Sequence, residues 1–435
     1  MAKHIQMPPT YPIPNNWTWV ELRKLTKIIS GYPFDSKLFS DLGTEGRPLI
    51  RIRDVVRGYT ETYTTEDCPE QYFIHENDIL IGMDGDFNVG RWQDETALLN
   101  QRVCYIQSTS DLLLNDYLFY FLPTPLKQIN DVTPSVTVKH LSTKTIESIM
   151  IPLPPVEEQI RLCELIQSLF AKLDEAKEKA QEVVDGFETR KAAILHKAFS
   201  GELTAKWREE RRVTKNEWRN LTLDDVAEYK KGPFGSSITK AMFVPKGPNT
   251  YKVYEQGNAI RKTLEYGSYY ISQSKYDELR GFAIRPGDII VSCAGTIGEI
   301  YKLPNNCEAG VINQALMRVR TYDNIDELYF IHYFSGVLKG DVIDEANGTA
   351  IKNIPPFKIL KAMNILLPSL SEQKEIVGVL DRMLSKEQHA KETAESVIEQ
   401  IDTMKKAILA RAFRGELGTN DPTEASAVEL LNQII

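Results

Sequence analysis

The sequence predicts two α/β or α+β globular domains in one chain, joined by two long α-helices that pair as an antiparallel coiled coil about a pseudo-twofold axis. Three observations predict it: motifs that recur at a constant offset, two proline-free heptad stretches, and short apolar runs of strand length between them. At 435 residues the chain is also too long for one ordinary core.

The repeat comes first. Ala198-Phe199-Ser200-Gly201-Glu202-Leu203 recurs 214 residues later as Ala412-Phe413-Arg414-Gly415-Glu416-Leu417. Lys191-Ala192-Ala193-Ile194-Leu195 recurs at the same offset as Lys405-Lys406-Ala407-Ile408-Leu409, and Pro154 with Glu158-Gln159 as Pro368 with Glu372-Gln373. Upstream the match is looser: Ile74–Ile81 parallels Ile284–Val291, Asn100-Gln101 parallels Asn313-Gln314, and Gly31-Tyr32-Pro33-Phe34 resembles Gly232-Pro233-Phe234. Each half is thus one diverged globular domain followed by one well-matched helix. The expected order is a first domain over 1–153, a helix over 154–203, a second domain over 204–367, a helix over 368–417 and a tail over 418–435.

Between Ile160 and Phe199 there is no proline and one glycine, Gly186. Ile166, Leu169, Leu173, Ala176, Ala180, Val183 and Phe187 alternate in steps of three and four, a heptad seam. The second seam is Leu380, Met383, Ala390, Ala394, Val397 and Ile401, continued by Met404 and Ile408 and interrupted by Glu387. A helix of about 40 residues at ~1.5 Å per residue is near 60 Å long, so the pair acts as a ruler between the two domains. Amphipathic helices lying on separate cores are the plainer reading, but a stripe this narrow suits a paired seam.

In the globular parts, Leu49–Ile52, Ile79–Ile81, Val103–Ile106, Ile289–Val291 and Leu316–Val319 have strand character. Helices are expected at Asp116–Leu122 and Asp326–Phe334, with Asp as N-cap at both starts. Two loops in each half suit nucleic acid. One is Gly82–Trp92, matched by Ser292–Glu299; its glycines permit close approach, and Asn88, Arg91 and Thr296 offer hydrogen bonds to base edges. The other is Gly31–Lys37, matched by Lys230–Ser237, where Lys37, Lys230, Lys231, Ser236 and Ser237 suit phosphates. Arg51 and Arg53 alternate along an expected strand and so share one face, as a base-reading pair or as the polar side of an edge. For any one of these residues, solvated surface is the competing reading.

The net charge of −8 opposes nucleic-acid binding by the chain as a whole, but charge is uneven. Residues 1–150 hold 14 basic and 19 acidic side chains, a balance of −5, and residues 212–365 hold 20 and 17, a balance of +3. The five cysteines form no CxxC pair, which argues against a disulfide framework or a zinc site. No apolar run has the length of a membrane span or the pattern of a secretory signal, so a cytoplasmic protein is expected. Phosphate-loop, HExxH, GxSxG and GxGxxG motifs are all missing, and the six histidines lack metal spacing. Asn353-Ile354-Pro355-Pro356-Phe357 is similar to the Asn-Pro-Pro-Phe motif of adenine methyltransferases, but the inserted Ile354 destroys its spacing. The chain is expected to have no catalytic site, no metal and no cofactor of its own.

Pro152–Gln159 and Pro368–Gln373 at the helix starts, with Ala198–Leu203 and Ala412–Leu417 at the helix ends, resemble the specificity subunit of type I restriction–modification systems. The resemblance spans nearly the whole chain. It implies two target-recognition domains, each reading one half of a bipartite asymmetric site in double-stranded DNA, held apart by an antiparallel coiled coil. It also implies two DNA methyltransferase subunits that bind S-adenosylmethionine, and restriction subunits that use ATP and Mg. The alternative is a coiled-coil scaffold whose end domains bind proteins. The tail after Leu417 is expected to cap the helices or touch a partner.

Overall fold

The computed structural model describes residues 11–41, 46–134, 138–340 and 354–432. The chain divides into two compact units, residues 1–181 with 395–435, and residues 182–394. Each unit therefore takes one globular part and a stretch of both long helices.

The first unit has eleven strands among its described residues: β1 Thr18–Glu21, β2 Thr26–Ser30, β3 Phe39–Asp41, β4 Arg47–Ile50, β5 Thr62–Thr64, β6 Phe73–Ile74, β7 Ile79–Gly82, β8 Val89–Arg91, β9 Ala97–Leu99, β10 Val103–Ser108 and β11 Met150–Leu153. They form a β1-β11 pair, a four-stranded antiparallel sheet β2-β10-β7-β8 and a five-stranded sheet β3-β5-β4-β9-β6. The second unit has β12 Arg219–Thr222, β13 Ala227–Lys231, β14 Thr250–Tyr254, β15 Tyr270–Ser272, β16 Ile289–Ser292, β17 Ile300–Lys302, β18 Gly310–Ile312, β19 Leu316–Thr321 and β20 Asn364–Leu367. Its sheets are β12-β20, β13-β19-β16-β17 and β15-β14-β18. The same four-stranded order stands in both units, at the places where the sequence repeats. β7 and β16 are buried along their whole length, which is why each reads as an unbroken apolar run rather than an alternation.

Two local expectations are corrected. Leu49–Ile52 is not one strand: β4 ends at Ile50, and Ile52–Asp54 is a 3-10 turn. The buried Asp54 carboxylate accepts the Arg51 N–H and the Thr60 hydroxyl, folding the chain over, so Arg51 and Arg53 do not share a strand face. Asp116 is not an N-cap either. The helix Asn115–Phe121 begins after Leu114, whose N–H is taken by the Gln159 side chain, and Asp116 pairs with Arg91. Asp326 does cap its helix, Glu327–Tyr333, accepting the N–H groups of Leu328 and Tyr329.

The first long helix runs Val156–Asp185 and resumes as Phe187–Phe199; the second runs Leu370–Ala412 without a break. At Gly186 the Arg190 guanidinium donates to the Val183 carbonyl, which marks the discontinuity. In the first unit the helices run antiparallel: Lys405 pairs with Asp174, and Lys177 with Asp402 at 2.9 Å. In the second unit they do so again, with Lys391 over the Phe187 ring and Arg190 bound to Glu387 at 2.6 Å. Of the seam positions, Ile166, Ala180, Phe187, Leu380, Ala394 and Ile401 are buried. Leu169, Leu173, Val183, Met383 and Val397 are half-buried, while Ala176 and Ala390 are exposed. Ile166 and Leu380 belong to the cores of the globular parts, together with Leu162 in one unit and Ile376 in the other, so the helix ends also serve those cores.

The tail packs within the first unit. Arg161 forms a bidentate pair with Glu424 and donates to the Thr419 carbonyl, and the Ala427 N–H donates to the Asn16 carbonyl. The helix Ala427–Asn432 closes this segment, and residues 433–435 of the apolar end lie outside the described residues. Among the described residues no helix is long and apolar enough to cross a membrane.

Candidate nucleic-acid interface

An antiparallel sheet brings the end of one strand beside the start of its neighbour. In the first unit Cys104 pairs with Ser30, Val103 with Gly82, and Ile81 with Val89. The segment after β2, the β7–β8 loop and the turn before β10 therefore meet at one end of the sheet. In the second unit Lys231 pairs with Met317, Ser292 with Leu316, and Val291 with Ile300. The segment after β13, the β16–β17 loop and the turn before β19 meet in the same way. Two separate loop signals in the sequence, and the Asn-Gln repeat to which it assigned no role, form one surface in each unit.

The packing explains several of the repeated residues. A Cβ on Gly31 would stand 2.1 Å from the Asn100 carbonyl oxygen, and one on Gly232 would stand 1.8 Å from that of Asn313. Only glycine lets these loops lie on the Asn-Gln turns. The Met83 N–H donates to the Arg102 carbonyl and the Cys293 N–H to that of Ala315, tying the glycine-rich loops to the same turns. Gln101 and Gln314 are exposed on these turns.

Of the residues singled out in the first unit, Lys37 is exposed on the 3-10 turn Ser36–Leu38, and Asn88 is exposed in the β7–β8 loop. Arg91 is engaged internally: it pairs with Asp116 at 2.6 Å and covers the Phe119 ring. Arg53 donates to the Thr62 hydroxyl, and half-buried Arg51 opens the turn that precedes it. In the second unit Lys231, Ser236 and Thr296 are exposed, Ser237 is half-buried, and Lys230 lies over the Phe282 ring. A polar cluster that the sequence did not signal adjoins the first surface. Asp84 accepts from His140 at 2.7 Å and from Arg102 at 3.1 Å, and the Asn130 amide donates to the Gly85 carbonyl. These partners come from distant segments with no shared spacing, so only the fold reveals them. Leu141 donates to the Met83 carbonyl as Ile354 does to that of Cys293, so the two stretches correspond; Asn353 lies outside the described residues.

Burial pushes the thiols of Cys104, Cys163 and Cys293 up to about 12, so they stay protonated where only a thiolate would attack. The arrangement offers glutamines, glycine-rich backbone and lysines on a sheet end. Those are groups for reading base edges and holding phosphates.

Known proteins share this architecture. The family model for the type I restriction modification DNA specificity domain matches residues 14–184 and again 215–400. The specificity subunit of the Escherichia coli type I restriction enzyme EcoBI is 30% identical over 423 residues, covering 93% of this chain and 87% of that protein. The HsdS subunit from Thermoanaerobacter tengcongensis superposes with a TM-score of 0.60 at 17% identity, over 94% of this chain and 99% of its own. A chain from a structure concerned with complex assembly and conformational transition of the type I R-M system superposes with a TM-score of 0.69 at 18% identity, over 94% of this chain and 100% of its own.

Proposed function

Because this chain belongs to the type I restriction modification DNA specificity family, we propose that each unit reads one half of a bipartite, asymmetric sequence in double-stranded DNA. The observation that carries this reading is the convergence, in each unit, of three repeated segments on the same end of an equivalent sheet. The helices would set the separation of the half-sites and dock two DNA methyltransferase subunits. The chain has recognition as its task. Methylation with S-adenosylmethionine, and cleavage driven by ATP with Mg, would belong to partner subunits in the cytoplasm. The net charge of −8 fits a division of labour in which base contacts select the site and partner subunits supply much of the phosphate neutralisation.

Co-expression with a methylation subunit and S-adenosylmethionine tests it. N6-methyladenine should appear at one bipartite sequence, and the chain alone should neither methylate nor cleave. Methylation without sequence dependence would reject the reading. Failure to retain DNA even with partner subunits present would favour a protein-binding scaffold instead.

A further inference from the structure

The two recognition surfaces differ at one aromatic residue. Phe234 is the most exposed large apolar side chain among the described residues, at 87%. It stands in a loop whose base is pinned by Gly232 against Asn313 and by the Gly232 N–H to the Leu316 carbonyl. The Phe234 carbonyl accepts the Ser237 N–H at 2.8 Å, so the turn that holds the ring outward is itself hydrogen-bonded. In the first unit the loop is one residue longer between its glycine and its phenylalanine, and Phe34 is buried in a cluster with Leu49 and Leu98. The same residue type thus builds the core in one unit and faces water in the other.

Its surroundings are cationic, polar and aromatic. Phe234, Lys230, Lys231, Phe282 and Gln314 line one concavity, with Tyr229 beside them. The Tyr229 hydroxyl is buried and has no hydrogen-bond partner among the described residues. A lone exposed phenylalanine is ordinary, but one flanked by two lysines and a glutamine at the reading end of a sheet is placed for a polyanion with apolar spots. DNA presents such spots as thymine methyl groups and base faces. We propose that Phe234 makes an apolar contact with a base in the half-site read by the second unit, with Lys230 and Lys231 holding the adjoining phosphates and Gln314 meeting a base edge. This rests on the reading above and assigns to one half-site a contact that the other lacks. A ring contributes nothing to phosphate binding, so its effect must appear in discrimination between sequences and not in salt dependence.

The experiment uses the full chain assembled with its methylation subunits, and two duplexes: one carrying the sequence that the complex methylates, the other of scrambled sequence. Phe234→Ala should lower the preference for the specific duplex by about ten- to a hundred-fold, leave the slope of affinity against salt unchanged, and relax the methylated sequence within one half-site. Phe234→Leu, which keeps apolar bulk, should retain most of the preference and guards against a folding artefact. Lys231→Ala should weaken both duplexes alike and reduce the salt slope by about one. Unchanged preference in Phe234→Ala would overturn the proposal. So would equal loss on both duplexes, or relaxation in the half-site that follows exchange of residues 1–150. Loss of a methylation subunit with DNA preference intact would also overturn it, by making Phe234 a protein contact. An unmodified complex that prefers neither duplex would instead defeat the underlying reading.

Discussion

Glu158 and Glu372, with Gln159 and Gln373, are almost completely buried, although nothing in the sequence marks them as interior residues. The glutamines do identical work. Gln159 accepts the Leu114 N–H and donates to the carbonyls of Leu112 and Pro154, and Gln373 does the same with Asp326, Asn324 and Pro368. Each thereby ties the start of a long helix to the segment leading into the short helix of its own unit. The glutamates differ in their partners. Glu158 accepts from Trp17, Thr419 and Asn420, all neutral, whereas Glu372 accepts from Trp218, Thr204 and the Arg208 guanidinium at 2.6 Å. A buried carboxylate is tolerable only with such partners. Glu372→Gln should therefore cost about 3–5 kcal/mol, because it strands the buried Arg208 charge. Glu158→Gln should cost about 1–3 kcal/mol, since only neutral hydrogen bonds are weakened. Urea unfolding followed by tryptophan fluorescence would check this, and equal losses would contradict it. The repetition of these residues was legible in the sequence. Their role was not, because apart from the prolines five residues upstream each partner lies between 45 and 262 residues away along the chain.

At the scale of elements, the heptad pattern anticipated the pairing of the helices but treated Glu387 as a defect. It is the partner of Arg190, and the pair sits where the repeat places Leu173 and Met404 in the other unit. If the first long helix paired with a second copy of itself in this register, Arg190 would face Leu173. If the second did so, Glu387 would face Met404. The charges match only when helix one meets helix two, the way a polar residue at a seam specifies a coiled coil's partner. Both side chains are partly exposed, so solvent weakens the pair. Arg190→Met should destabilise the chain by about 1 kcal/mol. Adding Glu387→Leu should recover most of that loss, since an apolar pair can replace an ion pair without cost. Thermal melting of the two single variants and the double variant measures the coupling; additive effects would show that the pair does not interact. Each replacement, carried by its own half of the chain, should raise the self-association of that half in sedimentation.

At the scale of the whole molecule, the proposed function makes helix length a determinant of sequence preference. Removing one heptad from both long helices should shorten each by about 10 Å at ~1.5 Å per residue. The methylated site should then lose about 3 base pairs between its halves, at ~3.4 Å each. Sequencing of modified adenines reads this directly, and an unchanged gap would reject the ruler. What the sequence determined by itself is whatever depends on order along the chain: the duplication, the seams and their helices, the apolar runs of β7 and β16, and the missing catalytic motifs. What only the tertiary structure decided is which distant segments meet. The convergence of three segments on one sheet end follows from antiparallel register, and the fates of Arg51, Arg91, Phe34 and Phe234 follow from the partners they find. The physical reason is one of range. Periodicity and repetition are local and survive in a linear record, whereas burial and pairing between remote residues exist only once the chain has closed its loops.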